Sequence, residues 1–297
     1  MPTFIRRGLM FAVVALCAGI ACHAAGGRVE TATAPSATAT PRAFVSRGKV
    51  MPGGGAQPLS DLSEAAASLV EQHGGQIGVS VLLPESGDSY SLGDTQAFPM
   101  ASLAKVVILL TALHIRERLQ LPITDSTMSL MTSMITESDN DSADDLWDAI
   151  GDGPVAQNYV DSIGVQGITM SRTPSWGDST ATPRGVATLL GKLVDGQILD
   201  ASDRALALRL LASVAPDQAW GATAAFPKDA TVGVKNGWMP DDDGGWYIHS
   251  AAVDESDPSH PIVVVMTGGS DPLVEINWVQ TIASAAGKAL AGAMRRV

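Results

Sequence analysis

Cysteine is nearly missing from this chain: of its 297 residues only Cys17 and Cys22 are cysteines, and both lie close to the N-terminus. Everything beyond them is without disulfides, thiol nucleophiles or thiolate metal ligands. The five histidines fall at no H-x-x-x-H or similar ligand spacing, so neither a metal nor another cofactor is expected. A glycine-rich phosphate loop and a G-x-S-x-G elbow are also lacking. Bases are outnumbered by acids, 19 against 31, for a net charge of −12. Such a surface repels nucleic acid and anionic membrane, and nucleic acid is excluded as a partner.

The N-terminal apolar stretch, Gly8–Ile20, has 13 residues and is too short to span a bilayer. Preceded by Arg6-Arg7 and followed by the small residues of "ACHAAGG", it reads as an export signal over residues 1–25. Two endings stand open: cleavage after Ala24 or Ala25, or lipidation of Cys22 within the lipobox-like "GIAC". The arginine pair also leaves the twin-arginine and general export routes open. The expected protein is therefore exported, either secreted or anchored to the outer face of the cytoplasmic membrane. Residues 26–58, rich in Ala, Thr, Gly and Pro, have the composition of a disordered linker.

The remaining residues, 59–297, read as one folded domain. "PLSDLSEAAASLVEQHGG" predicts a helix capped by Ser60, stapled by Leu59 and ended by Gly74-Gly75. "QIGVSVLLPESGDSYSLG" predicts two strands joined by a turn. After the apolar segment 100–115, the chain from 126 to about 213 is a succession of helices that begin at Asp, Ser, Thr or Pro and often end at Gly. Three alternating strands follow from 231, and a last helix from 274. This order predicts an α+β fold, with strands from both ends in one antiparallel sheet flanked by the terminal helices, and an inserted all-helical lobe.

Three short segments carry candidate chemistry. In "MASLAKVVILLTALHI" a single lysine, Lys105, interrupts an apolar run, and Ser102 lies three residues before it. A serine hydroxyl needs a base, and a desolvated lysine can serve as one. By itself the spacing is equally that of a snorkelling lysine on a core helix, and Ser46–Lys49 repeats it within the linker. In "ESDND", Ser138 can relay a proton and Asn140 can hold an amide, while the same cluster suits a helix N-cap. In "TVGVKNGWMP", Lys235 can hold a substrate anion and Gly237 permits close approach to the backbone, or the segment is a strand running into a turn.

Taken together and in this order, S-x-x-K, S-D-N and K-x-G over residues 60–297 make the chain resemble the class A β-lactamase superfamily of penicillin-recognising serine enzymes. "TATPRGVATLLGKL" matches the family's T-x-TP helix start. The resemblance implies that Ser102 is acylated, with Lys105 as its base and Ser138 as proton shuttle. Asn140 would bind the acyl amide and Lys235 the substrate carboxylate, while the N–H groups of Ser102 and Trp238 would form the oxyanion hole. The substrate would be a small molecule or peptide, β-lactam-like or cell-wall derived: a β-lactam, a peptide or an ester.

Three departures qualify the match. The Ser102–Ser138 interval is short for the family. No glutamate occurs between Ser138 and Asp254, so the Ω-loop base that releases the acyl group is missing, and Asp178 is the one carboxylate in the corresponding "TMSRTPSWGDSTATP". Deacylation is then expected to be slow. Asn236 replaces the usual hydroxyl residue of K-T-G, and K-N-G-W followed by "MPDDDGGWYIHSAAV" resembles a subgroup of actinobacterial serine hydrolases. Trp176, Trp238 and Trp246 are expected near the cleft, as stacking surfaces or, preferentially, as packing. The competing reading is a non-catalytic exported binding or scaffold lipoprotein that retains a relict site.

Overall fold

A computed structural model describes residues 56–269 and 271–294. The signal, Arg6-Arg7, Cys22 and nearly all of the linker lie outside the described residues. Helix α1, Ala56–His73, starts upstream of the anticipated cap, so Ser60 is interior to it and Pro58 occupies its first turn, where proline's missing N–H costs nothing. Strands β1 (Gln76–Leu83) and β2 (Asp88–Leu92) form the expected hairpin, with Leu83 paired to Asp88. A short strand β3, Phe98–Pro99, leads into a single 3-10 turn, Ala101–Leu103, and then into α2, Ala104–Leu119.

Helix α2 is buried on nearly every side, from Ala104 through Thr111. The lobe around it comprises α3 (Asp125–Thr136), α4 (Asn140–Ile150) and α5 (Asp152–Ser162), then, past the two-residue strands β4 (Ile168–Thr169) and β5 (Thr180–Ala181), α6 (Pro183–Val194) and α7 (Ala201–Ala212). The starts follow local side-chain chemistry. Thr124, Asp139, Thr182 and Asp200 each accept a backbone N–H from the first turn of α3, α4, α6 and α7.

The chain then returns to strands, β6 (Val232–Pro240), β7 (Trp246–Asp254) and β8 (Ile262–Gly269), and closes with α8, Pro272–Met294. The main sheet is antiparallel in the order β2-β1-β8-β7-β6, so its two ends in sequence meet where β1 pairs β8 and Val79 lies opposite Val265. A second small sheet, β3-β5-β4, ties the segment before the 3-10 turn to the segment before α6. Helices α1 and α8 lie together on one face of the main sheet, over a core containing Val79, Val265, Trp278 and Ile282. The lobe packs on the other face around Leu109, Leu113, Met134 and Leu190. The fold is the anticipated α+β arrangement. It leaves β6 as an edge strand beside the 3-10 turn that begins α2.

Candidate active site

Ser102 sits in the 3-10 turn and Lys105 one turn on, at the start of α2. The residue before the serine, Ala101, has φ +47°, in the left-handed region that a side chain normally avoids, and Ser138 has φ +57°. Such backbone costs of order 1–3 kcal/mol each and persists only where the surroundings impose it. At Ala101 those surroundings are identifiable. The Met100 N–H donates to Ser179 O (2.6 Å), and Pro99 O is held 2.7 Å from His249 Nε2. His249 is buried on β7, directly opposite Gly237 on β6. Burial pushes its imidazole down to about 4, so it is neutral. Its Nδ1 accepts from Thr267 N–H (3.3 Å), which leaves Nε2–H to donate to Pro99.

Gly237 completes the support from the other side. A Cβ there would lie 2.9 Å from both Leu103 N and Met100 O and 3.0 Å from Ser102 N. Only glycine lets the edge strand approach the serine turn this closely.

The three sequence motifs converge on one hydroxyl. Lys105 Nζ donates to Ser138 O (2.5 Å), to Asn140 Oδ1 (2.7 Å) and, at 3.3 Å, to Ser138 Oγ. Lys235 Nζ donates to the same Ser138 Oγ (2.9 Å) and to Asn236 O (2.9 Å). Two lysines thus fill the lone pairs of Ser138 Oγ and leave its O–H free to donate. Asp139, between them in sequence, caps α4 by accepting from Ser142 N at 2.7 Å, so the cluster is an N-cap as well. Both lysines are buried. Burial pulls Lys105 down to about 8, against the opposing pull of the Asp139 and Asp144 carboxylates. Burial pulls Lys235 further, to about 7, helped by the charge of Lys105.

The remaining expected residues are placed as follows. Asn236 is buried, and its Nδ2 donates to Gln218 O (2.7 Å) and Trp220 O (3.4 Å). It therefore tethers the 218–220 segment and offers an approaching carboxylate no free donor. Trp176 is buried with its ring centroid 4.8 Å from Lys105 Nζ, a contact that stabilises the ammonium. Asp178 lies exposed at the end of the 3-10 turn Trp176–Asp178, which packs on the serine turn. Trp238 is 40% exposed and Trp246 half-buried.

Two residues at this site escaped the sequence reading. Asp144 accepts the Trp176 indole N–H at 2.7 Å. Its signal was the i, i+4 spacing from Asn140, which puts both on one face of α4. His249 was dismissed as a metal ligand, and its role beneath the serine turn depends on strand register.

One carboxylate cluster among the described residues has metal-like proximity: Glu117, Asp200 and Asp203. Each of its residues already has a structural partner. Arg116 Nη1 donates to both oxygens of Asp203 (2.9 and 3.0 Å), Asp200 caps α7, and Glu117 Oε1 accepts from Asp200 N (2.8 Å).

This arrangement, a serine on a strained turn with two buried lysines meeting at a second serine, sits in a fold shared with serine β-lactamases. Residues 115–290 match the model of Beta-lactamase2, the beta-lactamase enzyme family. The chain belongs to that family. The match begins downstream of Ser102 and Lys105, so the serine end of the site rests on the motif and the geometry. The fold is similar to that of a beta-lactamase from Chitinophaga pinensis, at 18% identity, TM-score 0.68, and coverage of 79% of this chain and 99% of the other. It is also similar to a W229D mutant of the class A β-lactamase of the last common ancestor of Gram-negative bacteria, at 23% identity, TM-score 0.68, and coverage of 77% and 98%. A third similar structure is L2 complexed with relebactam, at 20% identity, TM-score 0.67, and coverage of 80% and 100%. No curated protein matches the chain in sequence.

Proposed function

We propose that this chain is an exported serine acyl-transfer enzyme that forms an ester at Ser102 and releases it slowly. The observation that carries the reading is the Lys105–Ser138–Lys235 relay beside the serine turn. Neutral Lys105 takes the Ser102 proton. The serine oxygen attacks the acyl carbonyl of a β-lactam, peptide or ester. The N–H groups of Ser102 and Trp238 stabilise the oxyanion, and Asn140 positions the acyl amide. The C–N or C–O bond to the leaving group then breaks. The leaving atom takes the free Ser138 proton, which the lysine pair restores.

The second half of the reaction lacks an evident base. No glutamate lies between Ser138 and Asp254. Asp178 is exposed, and one oxygen of Asp144 is committed to Trp176. A missing general base slows hydrolysis by roughly 10²–10⁴, which favours accumulation of the acyl-enzyme over turnover. The export signal, the candidate lipid anchor at Cys22 and kinship with the actinobacterial K-N-G-W subgroup complete the reading, as a cell-envelope protein acting on cell-wall-derived or β-lactam substrates.

Intact-mass spectrometry of the full chain with a reactive β-lactam is the test. The expected result is one adduct, absent from Ser102→Ala and persisting after free ligand is removed. A wild-type mass that stays unshifted through prolonged incubation would sink the proposal and favour the scaffold reading.

A further inference from the structure

At the hairpin end of β6 and β7, on the face of the main sheet that carries the terminal helices, lies a cavity of about 430 Å³, a volume suited to a small organic group. Strand alternation builds its floor. Trp238 on β6 lies directly opposite Ile248 on β7, and Trp246, two residues before Ile248, shares their face. Trp220, just ahead of the 3-10 turn Gly221–Ala225, and Ile276 of α8 supply walls. The Trp220 and Trp238 ring centroids are 6.0 Å apart with the planes inclined at 46°, so the rings meet at an angle instead of stacking. Lys235 and Gly237 alternate with Trp238 and belong to the opposite face, so the cavity is separate from the reaction centre.

The formal charge here is negative. Asp217 lines the cavity and is exposed. Gln218 Oε1, the negative end of an amide dipole, is buried there without a hydrogen-bond partner. The turn that joins β6 to β7 follows directly on the Pro240–Trp246 pair and carries Asp241, Asp242 and Asp243. Among the described residues, no lysine or arginine lines the cavity. The chain as a whole has a net charge of −12, so its field draws cations toward this end of the sheet.

Indole is the side chain that attracts cations best, through the negative face of its ring. Three indoles from two strands and one loop meet at this cavity, and Trp238 is left 40% exposed. The walls are otherwise apolar, with Ile248 and Ile276 among them. A strongly hydrated primary ammonium would lose its water there for few acceptors. An ammonium whose hydrogens are replaced by alkyl groups holds water weakly and gains apolar contact instead.

We infer that this cavity is a binding site for a small, free organic cation whose charge sits on an alkylated ammonium, a trimethylammonium group being the simplest of the class. The indole rings cover its methyl groups, and Asp217 balances its charge. Binding breaks no bond and requires no acylation of Ser102, so it stands or falls apart from the acyl-transfer reading.

Choline and 3,3-dimethylbutan-1-ol differ only in nitrogen against carbon at the quaternary centre, a cation against its neutral isostere. Calorimetric titration of the full chain at low ionic strength, with tryptophan fluorescence as a second readout, is expected to give roughly tenfold tighter binding of choline. The preference should fall as salt is added. Asp217→Asn, at an exposed position, is expected to lower it roughly threefold, and Trp246→Phe to retain more of it than Trp246→Ala. Equal affinities, no binding of either compound, or a preference that Asp217→Asn leaves unmoved would overturn the inference. Phosphatidylcholine vesicles form the second arm. No co-sedimentation is expected, and co-sedimentation that Asp217→Asn abolishes would overturn the free ligand in favour of a lipid headgroup.

Discussion

Lys105, on the helical side of the cleft, and Lys235, on the sheet side, are buried to 0% and 2% exposure and donate to the same Ser138 hydroxyl. Their surroundings differ. The helical side supplies Asp139, Asp144 and the face of Trp176, all of which favour the ammonium. The sheet side supplies hydroxyl and carbonyl acceptors but no acid, and the nearest charge is that of Lys105 itself. The two differ in basicity, about 8 for Lys105 against about 7 for Lys235. Near neutrality the sheet-side lysine gives up its proton first. Burial lowers both lysines; the acids on the helical side oppose it at Lys105, and the charge of Lys105 adds to it at Lys235.

The largest expected effect comes from removing each lysine in turn. Lys105→Met should slow acylation of Ser102 by roughly 10²–10⁴, the value of a positioned base. Lys235→Met should slow it less, because Lys105 still reaches Ser138. Quenched-flow mass spectrometry of the two variants measures the difference, and equal losses would erase the contrast drawn between the two sides. Gly237→Ala tests the support that the sheet gives the serine turn. Its methyl group would meet backbone at 2.9 Å, and overpacking of this kind costs about 1–3 kcal/mol, read as a lower midpoint in urea together with slower acylation.

A smaller effect is expected in the pH profile. Acylation should rise with pH through a limb lying between about 7 and about 8, as the lysine pair becomes neutral. Asp144→Asn removes a charge that holds Lys105 up, so the limb should move to lower pH. A limb that stays in place would show that Asp144 does not act on the pair.

The smallest effect is on stability. Both lysines titrate below their ordinary 10.5 once folded. Between the folded values and 10.5 the unfolded chain holds more protons, so their contribution to stability rises with pH across that interval and is lost as pH falls through about 8 and about 7. Urea unfolding at several pH values should show a flatter dependence in Lys235→Met than in Lys105→Met.

Much of the domain was legible because its signals are local. Thr182-Pro183 begins α6 and Asp139 caps α4 through bonds spanning only a few residues. The alternating strands of 231–269 carried their own period. The first helix was misjudged at its start, since it begins at Ala56, upstream of the Ser60 cap that the local pattern offered. Asp144 and His249 were missed because their partners are distant in sequence. One acts through Trp176, 32 residues away, and the other through Pro99, 150 residues away.

The sequence alone determined the catalytic vocabulary, a serine and lysine one turn apart, a second serine before a capped helix, and a lysine-asparagine-glycine strand, because residue type and short spacing fix what each segment can do. Only the tertiary structure decided that Lys105 and Lys235 meet at Ser138, that Gly237 seats against Met100 and Leu103, and that Asn236 ties β6 to the 218–220 segment. Those outcomes follow from the order of strands in the sheet and the docking of α4 beside α2. Long-range packing selects such contacts, and no local pattern encodes them.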